Sequence, residues 1–319
     1  MFDLSICRYI AVAFRLNNLN PDLNTAVLLL AHGSPDSVDE IPEFLRQITR
    51  GRPIPPQVIE EVQHRYGLIG KSPLTELTLK QGELLSREVG MPVYVGMRNW
   101  KPYVADAVRA MNDDGVKHAV VICLAPQNSR TSVGLYRAAL MAGRELSFTF
   151  DFVEAWHDQP LLIAAFAEKF RKGYEQANRE SGTKVSVIFT AHSVPARTIE
   201  EGDPYEAQAK ETAALVAQAV GLSEWEFAFQ SQGMSRGAWI GPTVEDTILR
   251  LKSRGYSAVF IQPVGFLCDH VEILYDIDIG FREFAEKEGM RLWRAESLND
   301  SPLLARALAE IVRERLAGR

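Results

Sequence analysis

Runs of consecutive apolar residues recur along the chain, separated by longer stretches whose apolar positions return every three or four residues. Residues 25–31, Thr-Ala-Val-Leu-Leu-Leu-Ala, form one such run, and residues 119–124 form another. Continuous apolar runs of this length predict strands buried on both faces. Residues 185–190 and 258–262 read the same way, and shorter strands are expected at 93–95, 148–153, 227–229 and near 292–293. Helical spacing predicts helices over 43–49, 57–66, a stretch closing at Val89, 105–111, 135–143, 161–180, 205–220, 244–252, from Val271 onward and from Pro302 to the end. Arg50-Gly51-Arg52-Pro53 with Pro55-Pro56 predicts a loop. Gly70-Lys71-Ser72-Pro73 predicts a turn, with Ser72 or Thr75 as the cap of the next helix. Strands that alternate with helices imply parallel sheets covered by helices on both faces.

The pattern repeats. Val27 to Pro35 and Val187 to Pro195 are each an apolar strand ending in Ala-His, with proline three residues after the histidine. Trp100-Lys101-Pro102 precedes Asp106 and Gly115, and Trp239-Ile240-Gly241-Pro242 precedes Asp246 and Gly255. In both copies aspartate stands four residues and glycine thirteen residues after the proline, and an apolar strand follows. Two matches in the same order predict an internal duplication. The expected fold class is α/β, with two similar Rossmann-like halves, each a parallel sheet flanked by helices, facing each other across a cleft. The expected organisation is an N-terminal extension at 1–22, a first half at 23–157 plus 297–319, and a second half at 158–296. Each half places a histidine, His32 or His192, at the C-terminal end of its first strand, where open α/β sheets bind ligands.

Composition narrows the class. Of 319 residues 46% are hydrophobic, enough for a substantial core. The 35 basic and 41 acidic residues give a net charge of -6 with no basic block, so no nucleic-acid partner is expected. Cys7, Cys123 and Cys268 are widely separated and form no CxxC pair, which argues against a disulfide framework or zinc site and fits a reducing cytoplasm. No apolar run approaches the length of a membrane span.

Candidate chemistry concentrates in residues 262–272, Gln-Pro-Val-Gly-Phe-Leu-Cys-Asp-His-Val-Glu. Here a buried strand gives way to a helix, and Asp269, His270 and Glu272 crowd the junction. Glu272 and Asp276 are four apart and share a helix face, so with a histidine they could guide a divalent cation. Asp269 fits a second role equally well, as the helix N-cap. His270 fits a supporting role, orienting Glu272. His64, His118 and His157 read as surface or packing residues.

At this point the chain resembles the ferrochelatases, from about residue 26 to the C-terminus. The resemblance rests on Thr190-Ala191-His192-Ser193-Val194-Pro195 and on Gly265 to Tyr275. Gln230-Ser231-Gln232-Gly233 with Trp239 to Pro242, Arg65 to Gly70 with Ser72-Pro73-Leu74, and Gly202-Asp203-Pro204-Tyr205 extend it. It implies insertion of ferrous iron into a porphyrin, protoporphyrin IX or coproporphyrin III, in haem biosynthesis. It implies His192 and Glu272 as the catalytic pair and metal contacts, with Asp276 on the metal-entry side and His32 as a further metal or porphyrin contact. Asp269 and His270 would support them.

The same chemistry needs apolar walls for the macrocycle, for which Tyr66, Trp239 and Phe266 are candidates, Phe266 serving equally well as core. It needs cations for the propionates, for which Arg50, Arg52 and Arg98 are candidates or else solvated surface charges. Ser72 completes the expected porphyrin contacts. Iron is then a substrate. No prosthetic group and no iron–sulfur cluster is expected, and a cytoplasmic monomer with room for peripheral membrane contact is. Two departures stand out. His32, in an Ala-His-Gly-Ser context, is closer to the sirohydrochlorin chelatases, and Gly280 replaces an acid on the outer metal path. The alternatives are a cobalt or iron chelatase of the sirohydrochlorin type and a non-catalytic haem carrier, which would not need Glu272 with Asp276.

Overall fold

The computed structural model describes residues 13–14, 24–142, 145–233 and 237–318. The chain divides into two compact units. One holds the described residues up to Leu124, Ser132–Glu154 and those from Asn299 on; the other holds Ala125–Thr131 and Ala155–Leu298.

In the first unit the elements are β1 (Ala13–Phe14), β2 (Thr25–Ala31), α1 (Ile41–Ile48), α2 (Pro56–Ile69), α3 (Leu74–Val89), β3 (Val93–Met97), α4 (Val104–Asp113), β4 (His118–Cys123), α5 (Val133–Met141) and β5 (Thr149–Val153). The sheet order is β1-β3-β2-β4-β5, parallel except for β1, which pairs antiparallel with β3. Of the expected extension at 1–22, only Ala13–Phe14 fall among the described residues. Ala26 to Leu30 are wholly buried, as the unbroken apolar run requires of a strand covered on both faces.

The second unit contains α6 (Pro160–Ser181), β6 (Ser186–His192), α7 (Ala196–Glu200), α8 (Tyr205–Val220), β7 (Glu226–Gln230), α9 (Val244–Ser253), β8 (Ala258–Pro263), α10 (Val271–Leu274), a π-helical segment (Asp276–Phe281), α11 (Arg282–Lys287) and β9 (Arg291–Arg294). Its sheet is wholly parallel, in the order β7-β6-β8-β9. The chain ends in α12 (Pro302–Ala317), which belongs to the first unit and packs there on α3.

The duplication is visible bond by bond. In each unit the first strand of the parallel set lies between the next two, β2 between β3 and β4, and β6 between β7 and β8. The amide of Met97 donates to the Pro102 carbonyl at 2.7 Å, and that of Phe229 to the Pro242 carbonyl at 2.8 Å. The aspartates begin the following helices: Asp106 Oδ2 accepts from the Tyr103 amide, and the Asp246 amide donates to Thr243 Oγ1. The glycines end them. Gly115 (φ 75°) and Gly255 (φ 87°) are left-handed, and the next residue, Val116 or Tyr256, donates back to Met111 or Leu251 at 3.1 Å. The thirteen-residue spacing thus measures one helix from its entry proline to the glycine that terminates it.

Three local expectations are corrected. Neither Ser72 nor Thr75 caps α3: Pro73 holds the cap position without a side-chain bond, Ser72 is buried, and Thr75 Oγ1 donates to the Ser34 carbonyl instead. The helix expected from Val271 onward is not one α-helix but α10, the π segment and α11. Asp269 is not the N-cap of α10, because His270 stands there.

Gly255→Ala keeps open space around the new methyl group but forces it into a left-handed conformation. The expected loss is about 1 kcal/mol of stability with unchanged activity per folded molecule. Chemical denaturation checks it; an unchanged midpoint would contradict this reading of the glycine.

Candidate active site

In the second unit the C-terminal ends of β6 and β8 meet at Gly265. The amide of Val264 donates to the Thr190 carbonyl at 2.8 Å, drawing the chain after β8 across the tip of β6. A Cβ on Gly265 would lie 2.8 Å from Ala191 Cβ and 2.9 Å from its Cα, so only glycine permits the approach. Gln127, buried, donates to the Val264 carbonyl at 3.0 Å and holds the same loop from the other side.

This contact sets His192, the last residue of β6, beside the loop carrying His270 and Glu272. His192 Nδ1 donates to the Ser193 carbonyl, which can only accept. In the neutral ring the lone pair is therefore on Nε2, which lies 3.6 Å from Glu272 Oε2. His270 is wired alike: Nδ1 donates to the Cys268 carbonyl at 2.9 Å, and Nε2 stands 3.7 Å from the same Oε2. The His192 and Glu272 side chains are each 32% exposed, so the pair is open to a substrate. Burial works against a charged His270, but the Glu272 carboxylate, the Cys268 carbonyl and the Asp276 charge outweigh it and raise its pKa above the ordinary value.

Around this core the supports are specific. Tyr205, buried, donates its hydroxyl to the His192 carbonyl at 3.0 Å; burial first and the Glu272 charge second push its pKa up. Gln230 Nε2 donates to the Glu272 carbonyl at 2.9 Å. Ser231, in a left-handed conformation with φ 60°, donates its hydroxyl to Asp276 Oδ2. Asp276 opens the π segment, where the Gly280 amide reaches back five residues to the Tyr275 carbonyl at 2.9 Å. Such segments recur at functional sites because they re-aim side chains within a helix. Gly280 itself offers no side chain to a metal path, and the other acid of the segment, Asp278, is engaged by Arg294. Asp269 accepts from Ser297 Oγ at 2.7 Å and lies 3.3 Å from Arg294.

Trp239 and Phe266 flank His192, with ring centroids at 6.5 and 6.3 Å. Phe266 also stands 4.9 Å from the His270 ring and packs on the core beneath, so it takes both roles considered for it. Among the described residues no group of three or more His, Cys, Asp or Glu is assembled to hold a metal ion.

The remaining expected residues lie in the first unit. His32 is exposed, and its Nδ1 donates to the Gly33 carbonyl at 2.9 Å, the same wiring as His192. Arg98 packs over the Tyr136 ring at 5.6 Å, and its buried Nε has no hydrogen-bond partner among the described residues. Burial lowers its pKa, Tyr136 opposes that, and the neighbouring Arg50 charge adds to it. Arg50 and Arg52 are exposed, and Arg52 Nε donates to the Thr49 carbonyl. Tyr66 and Ser72 are buried within this unit, with the Tyr66 hydroxyl 3.0 Å from Ser34 Oγ. Tyr205, Gln127 and Arg294 were not singled out from the sequence. Tyr205 had a signal, because it closes the Gly202-Asp203-Pro204-Tyr205 segment; Gln127 and Arg294 carried none.

Because the folded His270 pKa lies above 6.5, its contribution to stability is fully present below that value and is lost as pH rises through the folded one. His270→Gln should therefore destabilise the protein more at about pH 5.5 than at about pH 9. Urea unfolding at both values checks it, and an equal or reversed difference would contradict the assigned contact with Glu272.

The family profile described as Ferrochelatase matches residues 24–316. A ferrochelatase of Acidobacterium capsulatum is 58% identical over 306 residues, covering 91% of this chain and 94% of the relative. A ferrochelatase of Deinococcus radiodurans is 39% identical, with coverage of 91% and 96%. A coproporphyrin III ferrochelatase of Geobacillus sp. is 35% identical, with coverage of 91% and 97%. Among solved structures, SirB from Bacillus subtilis with Fe3+ superimposes with a TM-score of 0.57 at 13% identity, covering 91% of this chain and 95% of that one. That last likeness is one of fold. The chain belongs to the ferrochelatase family, the enzymes that insert ferrous iron into a porphyrin in haem biosynthesis.

Proposed function

We propose that the second unit carries the insertion step, with His192 and Glu272 as its central pair. The observation that supports this reading is His192 Nε2 standing 3.6 Å from Glu272 Oε2, both partly open to solvent. A free porphyrin holds two protons on its inner nitrogens, and both must leave as the cation enters. With Nδ1 committed to the Ser193 carbonyl, Nε2 is the atom that takes a pyrrole proton or meets the cation. Glu272 takes the second proton or shares the cation. His270 leans on Glu272 and orients it. Asp276, held by Ser231, is the next carboxylate along the helix and receives the cation before it reaches Glu272.

Trp239 and Phe266 give the macrocycle an aromatic wall on either side of His192. Binding energy from the ring's periphery is what distorts it for insertion. Arg98, beside Arg50 and without a carboxylate partner for its Nε, suits a propionate. Arg52 and the exposed His32 are assigned to the porphyrin as well. Ferrous iron is a substrate here, and no prosthetic group takes part. Ferrous iron stands low in the divalent affinity order, so the site should also accept zinc or cobalt. We read the enzyme as a cytoplasmic monomer; no helix among the described residues is long and apolar enough to cross a membrane.

Anaerobic insertion of ferrous iron into protoporphyrin IX and coproporphyrin III, followed side by side by absorbance, tests the reading. Turnover is expected, and the faster porphyrin is the substrate. Glu272→Gln should keep porphyrin affinity within about twofold while insertion falls by about a hundredfold or more. An equal loss of binding would make Glu272 structural, and full activity in His192→Ala would remove the central pair.

A further inference from the structure

We infer that Arg294 is a positioning residue that sets the register of the helix carrying Glu272 and Asp276. It stands at the end of β9 with its side chain 13% exposed. Its Nε donates to Asp278 Oδ1 and its Nη2 to Asp278 Oδ2, each at 2.7 Å, a two-toothed grip. Its Nη1 donates to the Ala295 carbonyl at 3.0 Å and lies 3.3 Å from Asp269 Oδ1. One guanidinium therefore holds both ends of the stretch from Asp269 to Asp278, and His270, Glu272 and Asp276 all lie between.

The grip matters because this helix is irregular. It passes from α to π between Leu274 and Asp276 and returns to α at Arg282. A π turn carries one extra residue, so placing it one residue earlier or later turns the side chain it passes by roughly 100° about the axis. Asp278, within the π segment, is fixed rotationally by the fork, so Asp276 two residues earlier keeps facing Ser231. Asp269, at the other end, is fixed by Arg294 and by Ser297 Oγ, so His270 and Glu272 leave the loop in one direction. Arg282 assists from outside, donating from Nε to the Asp278 carbonyl at 3.1 Å. A lysine could keep the charge at this position but could not form the fork.

The inference rests on the assignment of Glu272 and Asp276 to the cation's route. Its test is Arg294→Lys, with Asp278→Asn as the second variant, assayed anaerobically with ferrous iron and the preferred porphyrin. Misplacing the acids by about 1 Å should lower kcat at least tenfold and raise KM for iron severalfold. KM for porphyrin and porphyrin affinity should stay within about twofold, and the double variant should be no worse than the weaker single one. Wild-type kcat and iron KM in the folded variant would overturn the inference. So would a loss accounted for by a smaller folded fraction, or one shared equally by porphyrin binding. Should Arg294→Lys fail to fold, the isosteric Asp278→Asn variant decides by the same split. Glu272→Gln separates the two claims: if it abolishes insertion while Arg294→Lys and Asp278→Asn behave as wild type, only the role of Arg294 falls.

Discussion

The close passage of one backbone over another at Gly265 is the constraint on which the site depends. A methyl group there would overlap Ala191, the residue before His192, by far more than packing tolerates. The contact brings a histidine from the end of one strand to a glutamate that follows another. Without it the two groups would sit at the tips of separate strands with nothing to fix their spacing. The same approach leaves His192 Nδ1 bound to its neighbour's carbonyl and its Nε2 turned outward. Glycine in the motif thus answers to geometry before chemistry.

Charge is the second constraint. Asp269, Glu272, Asp276 and Asp278 crowd ten residues, and like charges this close disfavour one another's ionised form. The fold divides them. Arg294 takes Asp269 and Asp278, the two that face the sheet edge at β9. Ser231 gives Asp276 a hydrogen bond without neutralising it, and His270 stands by Glu272. Glu272 and Asp276, the two acids proposed to meet the cation and the protons, lie between Asp269 and Asp278. A site that must strip a hydrated divalent ion needs its acids held in place at low reorganisation cost.

Much of this was legible in the chain. The strands from Thr25 and Ser186 announced themselves by apolar runs, and the Pro102/Gly115 and Pro242/Gly255 spacings gave the duplication, because they measure a helix between its two terminators. His192, His270 and Glu272 were legible as a cluster because a motif packs them near strand ends. What the chain could not disclose were long-range choices. Asp269 reads locally as a helix cap, but the arginine 25 residues later takes it instead. Ser72 reads as a cap, but it is turned into the interior. The π segment has no periodic signature of its own, since six residues with one extra in the turn look like an ordinary amphipathic stretch. Tyr66 reads as a wall for the macrocycle, but it is buried with its hydroxyl 3.0 Å from Ser34 Oγ, a contact 32 residues away in the chain.

The central claim is that His192 and Glu272 act as one unit on the porphyrin's inner protons and the entering iron. Single-turnover insertion under anaerobic conditions, measured for His192→Ala, Glu272→Gln and the double variant, tests it most directly. Groups that act together lose their function together, so the double variant should be about as slow as the slower single one. Losses that multiply in the double variant would mean two independent contributions and would contradict the account.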